Sequence, residues 1–255
     1  MITFTEAQLT EWLSPLIWPF LRTLAVFTSS PVFSSKVFPV RARIALAFFV
    51  AFAAQPSVEG QTVISINDAG AFGAVLQQVG VGLAIGFAIR VVFAAMELAG
   101  ELVGFQMGLS FASFFDPTMG GQTSAVAQFF GQMATFMFIV MNGHLLVMMT
   151  IITSFTAFPV DQNFLEALKQ IKILNLGAEL FSSGLWMALP MIGMLMFANL
   201  ALGIVSRVAP QMNIYAIGFP ITLTVGLVGM AVTLPMLDQP FLALMNHAIE
   251  IFSPK

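Results

Sequence analysis

The chain has no cysteine, which excludes disulfides, iron–sulfur clusters and thiol catalysis. Charge is scarce too: nine Lys and Arg with twelve Asp and Glu make 8% of 255 residues. Soluble domains carry roughly 25%. The net charge of −3 leaves no basic patch for nucleic acid. Glu6 and Glu11 near the start, with no basic stretch, do not read as a secretory signal peptide. Catalytic patterns are missing as well. His144 and His247 stand far apart with no H-E-x-x-H, and Ser110, Ser113, Ser124 and Ser154 have no G-x-S-x-G context. His144, after Asn142-Gly143, reads as a turn or helix-end residue. No catalytic residue, metal ligand or cofactor is expected.

What the chain has instead is apolar sequence, 58% of residues. Between Asp116 and Asp161 lie 44 residues without Lys, Arg, Asp or Glu; Leu180–Ser206 gives 27 more and Val208–Leu237 another 30. About 20 apolar residues in a helix cross a hydrocarbon core of about 30 Å, so each run is long enough to span. The expectation is an all-α membrane protein, a multi-helix bundle of helical hairpins with broken helices and no separate soluble domain. Helices are expected at Trp12–Thr28, Ile44–Ala54, Ala69–Ser110, Ala125–Thr156, Leu180–Arg207 and Ile214–Leu237, with an amphipathic tail after Pro240.

Several of these segments are imperfect spans. Arg22, Pro15 and Pro19 interrupt the first; the second is short; Arg90, Glu97 and Glu101 lie within the third. Ionisable groups in hydrocarbon are costly unless paired or facing water, so these residues, with Arg207, are candidates for ion pairs inside the chain or between subunits. Lys36, Arg41 and Arg43 form one basic cluster and Lys169 and Lys172 another. Placing both on the cytoplasmic side needs an even number of crossings between them. Three segments intervene, so either the chain reverses around Asn142-Gly143-His144 or one segment does not span.

Gly100, Gly104 and Gly108 recur every fourth residue, as do Gly82 and Gly86 upstream. Such stripes let helix backbones approach closely, either within the chain or against a different subunit. Met133, Met137 and Met141 likewise share a helix face, for core filling or for an adaptable gating contact. Between them Asp116-Pro117 ends a helix and Gly120-Gly121 frees the backbone. The aromatic and methionine content of this break suits either a loop at the bilayer surface or a dry constriction, since irregular backbone at membrane depth must be buried or line a cavity.

Arg207-Val208-Ala209-Pro210-Gln211-Met212-Asn213-Ile214 followed by Ile217-Gly218-Phe219-Pro220 resembles the R-x-A-P-Q-x-x-I…I-G-F-P signature of the FliR family of flagellar biosynthesis proteins. Gly108-Leu109-Ser110-Phe111-Ala112 with Asp116-Pro117 is similar to that family's G-L-S-F-A…D-P segment. Asn142-Gly143-His144-Leu145, Ala188-Leu189-Pro190, Asn199-Leu200-Ala201-Leu202-Gly203 and Trp18-Pro19…Leu21-Arg22 match in the family's order, as do Pro39 and Arg41. The likeness runs from Trp12 to about Leu237.

The resemblance implies a multi-pass inner-membrane subunit of the type III export gate at the flagellar basal body. FliP-like and FliQ-like membrane subunits would join it, with an FlhB-like export-switch subunit, unfolded export substrates and membrane lipid. It implies a FliP-like part over about 1–175 and a FliQ-like hairpin over about 176–255. Phe111, Phe114, Phe115, Asp116, Pro117, Met119, Gly120 and Gly121 map to the family's pore plug. Arg22, Arg90, Glu97, Gly100, Glu101, Gly104, Gly108, Arg207, Pro210, Gln211, Asn213, Gly218 and Pro220 are the candidate assembly residues. A virulence injectisome subunit is the alternative, and a secondary transporter with broken helices at Asp116-Pro117 and Ala209-Pro210 a more distant one.

Overall fold

The computed structural model describes residues 6–58, 64–65, 68–109, 123–161, 166–167, 169, 173–211 and 214–253. Among these it is all-α: α1 (Glu6–Ser29), α2 (Pro31–Ser34), α3 (Val40–Val58), α4 (Ala71–Gln106), α5 (Ala125–Val140), α6 (Gly143–Ala157), α7 (Ile173–Val208), α8 (Ile214–Thr233), a 3₁₀ turn (Leu234–Met236) and α9 (Asp238–Glu250). Helix α3 outruns the 11 residues expected of it, because neither Arg41 and Arg43 nor Pro56 ends it. Helix α7 begins before the uncharged run and carries Glu179 within it. The expected single helix over Ala125–Thr156 is two. Asn142 breaks it at φ 57°, a left-handed conformation that asparagine tolerates better than most residues, and the local bend is 69°. The chain bends there rather than reversing.

Two compact units divide the chain. One comprises Met1–Val91, Ile139–Gly177 and Met245–Lys255. Trp18, Val26 and Phe27 from α1, small residues of α3, Ile85 and Ile89 from α4, and Val147, Ile151 and Phe155 from α6 supply its buried core. Phe27 stacks on Phe33 at 4.4 Å, and Trp18 Nε1 donates to the Ile64 carbonyl. Here α1 and α4 approach closely: a Cβ on Gly82 would meet the Arg22 carbonyl oxygen, and one on Gly86 the Ser29 hydroxyl.

The other unit comprises Val92–Phe138 and Ala178–Leu244. Phe93 packs against Phe138 and Phe241, with ring centroids 5.6 and 6.2 Å away. Gly184 brings α7 onto α4, its would-be Cβ only 2.9 Å from the Ala95 carbonyl oxygen. Met107 fills the space that Gly226 leaves on α8, and Thr222 Oγ1 donates to the Met107 carbonyl at 3.1 Å.

Among the described residues three helices are long and apolar enough to cross a membrane, Ala71–Gln106, Asn175–Val208 and Ile217–Met236, or four spans if the bent α5–α6 pair counts as one. Helix α3 is not among them. By length and composition, two candidate crossings (α4 and the bent pair) then lie between the basic clusters, the even number that the charge pattern needs.

Candidate functional site

All eight residues expected to form the plug, Phe111, Phe114, Phe115, Asp116, Pro117, Met119, Gly120 and Gly121, lie outside the described residues, as does Asn213. The two ends of that segment are well defined. Helix α4 stops in a Schellman motif: Gly108, at φ 81°, donates to the Phe105 carbonyl, and Leu109 reaches back to Gly104 at 3.1 Å. The chain re-enters at Ser124, whose hydroxyl accepts from the Ala127 N–H and caps α5. The Ser124 N–H in turn donates to Glu101 Oε2 at 3.2 Å. A carboxylate on α4 therefore sits at the positive end of α5. Ser124 Oγ lies 3.1 Å from where a Gly104 Cβ would stand. Both feet of the 110–122 segment thus rest on the last two turns of α4.

An apolar cleft of about 480 Å³ opens beside these feet, lined by Met107, Leu109, Val126, Phe129, Leu223 and Leu227 among others. Among the described residues its walls offer no titratable group. The described lining can hold hydrocarbon or aromatic surface. No group of three His, Asp or Glu able to hold a metal occurs among the described residues.

The faces that Gly100 and Gly104 open are filled from within the chain. A Cβ at Gly100 would lie 2.7 Å from the Ala127 Cα and 2.9 Å from the Val126 carbonyl oxygen. Within this chain it is α5 that makes the close approach for which such spacing allows. Glu101 is likewise engaged by Ser124. Arg90 and Glu97 differ. Both are exposed on α4, although Glu97 Oε1 lies 3.0 Å from where a Gly131 Cβ would stand.

Arg22 is fully buried and is held by neutral groups instead of the expected ion pair. Its Nε donates to Gln78 Oε1 at 2.9 Å, Nη1 to Ser154 Oγ at 2.9 Å and Nη2 to the Phe158 carbonyl at 2.7 Å. The Phe155 ring lies 3.7 Å below the guanidinium carbon, a cation–π contact. Gln78 Nε2 passes the network to Gln77 Oε1, and Gln77 ties it to the Pro159 carbonyl and the Asp161 N–H. One planar fork therefore joins α1, α4 and the turn after α6. Sequence reasoning missed Gln77, Gln78 and Ser154; the available signal was two adjacent glutamines and a serine inside apolar helices.

Arg207 stands exposed in the last turn of α7, where a cation suits the negative helix end. Pro210 and Gln211 follow in an exposed turn. Gly218 is half-buried on α8, its carbonyl accepting from Thr222 Oγ1, and Pro220 is exposed within the same helix. No ion pair joins Arg207 to a carboxylate among the described residues.

Comparison with known proteins agrees with this all-helical, membrane-suited chain. The family model described as bacterial export proteins, family 1, matches residues 13–248. The flagellar biosynthetic protein FliR of Escherichia coli is 37% identical over 257 residues, covering 99% of this chain and 98% of that protein. FliR of Pectobacterium carotovorum is also 37% identical, over 94% of this chain and 92% of its own length. FliR of Bacillus subtilis is 30% identical over 86% and 85%. With a family match over nearly its whole length and span-length apolar helices, the chain belongs to the FliR family of flagellar export proteins.

Proposed function

We propose that this chain is a multi-pass inner-membrane subunit of the flagellar type III export gate. It joins FliP-like and FliQ-like subunits, and an FlhB-like one, around an entry passage for unfolded flagellar proteins. The observation that carries this reading is the exposure of Arg90 and Glu97 on a 36-residue helix otherwise apolar enough to span. Charged groups facing hydrocarbon cost several kcal/mol each, roughly 2.5–3.5 on insertion scales, so protein partners or water must cover them. Segments 1–175 and 176–255 serve in this reading as FliP-like and FliQ-like parts. Residues 110–122, carried between two fastened feet, serve as the plug, which seals by excluding water from apolar side chains.

The test is co-expression with FliP-like and FliQ-like chains, purification on a tag carried by this chain, and native mass spectrometry. A stable hetero-oligomer containing both partners is expected. Recovery of this chain alone or as a self-oligomer, with the partners expressed and folded, would discard the reading. In that hetero-oligomer, deletion of Pro117–Gly121 should raise small-ion conductance across planar bilayers; an assembled deletion complex as tight as wild type would take the seal away from this segment.

A further inference from the structure

Helix α3 is built with its small side chains inside and its large ones outside. Ala47, Val50, Ala51 and Ala54 are buried, whereas Phe48, Phe49 and Phe52 face outward, Phe49 at 68% and Phe52 at 62% exposure. A helix bathed in water does not leave a ladder of phenylalanines uncovered. One end of the same face carries charge of a single sign. Arg41, Ile44, Phe48 and Phe52 follow one another at helical spacing, all exposed, and Lys36 and Arg43 flank the start of the helix.

These cations are placed where the backbone alone disfavours them. The N-terminus of a helix is its positive end, and the first turn of α3 holds no acidic residue to offset it. None of Lys36, Arg41 and Arg43 has an acidic partner among the described residues. Arg43, at helical spacing from the buried Ala47, Val50, Ala51 and Ala54, lies toward the inward face. For Lys36 and Arg41, both exposed, the missing piece is an anion, and directly below Arg41 the missing cover is hydrocarbon.

We propose that the start of α3 is a binding site for an anionic phospholipid. The headgroup phosphate sits against Lys36, Arg41 and the free N–H groups of the first turn. The acyl chains run along Phe48, Phe49 and Phe52. A phospholipid supplies phosphate and hydrocarbon in one molecule, in the order in which this face presents its basic and apolar parts. The shortfall of α3 as a crossing helix fits the same picture: its basic end belongs at the headgroup level. This inference stands apart from the export reading and can fail without it.

The test uses the full chain in detergent, titrated with phosphatidylglycerol or phosphatidylcholine of identical acyl chains and read by native mass spectrometry. The wild-type chain should retain phosphatidylglycerol at least about tenfold more tightly. Each Lys or Arg near an anionic surface contributes about fivefold, so K36Q/R41Q should remove most of that preference, up to about twenty-five-fold, while phosphatidylcholine binding holds. F49A/F52A should weaken both lipids alike. Excess inorganic phosphate should not displace the lipid, since it has no chains for the phenylalanine ladder. Equal retention of the two lipids by the wild-type chain, displacement by phosphate, or an unchanged preference in K36Q/R41Q would each overturn the proposal. So would a photocrosslinker at Phe49 that, in cells, captures a protein and no phospholipid.

Discussion

Gly82 and Gly86 stand one turn apart on α4, yet alanine should not be tolerated equally at the two. At Gly82 the obstacle is the Arg22 backbone carbonyl, with the Ala25 Cβ at 2.7 Å; at Gly86 it is mainly the Ser29 side chain. The Ser29 hydroxyl can rotate away, which leaves its Cβ at 2.8 Å and the Val26 carbonyl at 3.1 Å, whereas at Gly82 the closest atom is itself backbone and moves only if α1 moves. Gly82→Ala should therefore cost about 1–3 kcal/mol, and Gly86→Ala distinctly less. Thermal unfolding of the detergent-purified variants gives the order, and an equal loss at both sites would contradict it. Arg22 is the other residue on which this packing turns. Arg22→Ala removes three hydrogen bonds and leaves Gln78, Ser154 and the Phe158 carbonyl to find partners, a loss on the order of 3 kcal/mol. Arg22→Lys keeps the charge but not the fork, so it should recover only part of that stability. Full recovery by lysine in the same melting assay would mean that charge alone matters here. These contacts could not be read from the sequence, because Gln78 is 56 residues from Arg22 and Ser154 is 132. Apolar periodicity says which side of a helix is inside but not which polar atoms meet there.

Helices themselves were far more legible. Uncharged runs and Gly or Pro punctuation located every long helix, since a membrane-suited chain writes its spans in composition. The errors lie at the ends. Arg41, Arg43 and Glu179 stand just outside the apolar runs yet lie within α3 and α7, because one charged side chain costs a helix little when it can reach the surface. The break at Asn142-Gly143 was readable as a possible reversal, but its 69° angle depends on local backbone geometry. The end of α4 gives a clean test at this scale. A Cβ on Gly108 would have room, its nearest neighbour being the Phe219 ring at 3.7 Å, so the cost of Gly108→Ala is that of holding φ 81°. That should be about 1 kcal/mol. Glu101→Gln keeps an acceptor for the Ser124 N–H but removes the charge from the start of α5, and should cost about 0.3–1 kcal/mol. Hydrogen exchange at the first turn of α5 should quicken in Glu101→Gln and stay unchanged in Gly108→Ala. The opposite pattern would unseat the capping roles assigned to these two residues.

At the scale of the whole chain, the unexplained surface is that of α7. Phe181, Trp186, Met196, Phe197 and Leu200 are exposed, and Gly193 borders an open apolar cleft of about 450 Å³ with nothing within 4 Å of its would-be Cβ. Gly193→Leu should therefore leave the melting temperature of the isolated chain unchanged or slightly raised, since leucine is the better helix former. If another subunit packs on this face, the same variant should lower the yield of the hetero-oligomer severalfold in tagged purification. An isolated chain that loses stability would show that the face is needed for folding, and an undiminished oligomer that no partner uses it. The family signature was legible because it is spread in order along the chain, whereas assembly surfaces carry no such spelling: Gly100 and Gly104 look like Gly193 in the sequence and differ only in what lies opposite. The feet of the 110–122 segment have a consequence of a different kind. Because Leu109 and Ser124 are both anchored to the end of α4, the distance that the intervening chain must close is set by the scaffold and not by its own length. The placement of α4 and α5 against each other at this point therefore rests on the Gly108 cap and the Glu101–Ser124 contact, whatever joins Leu109 to Thr123.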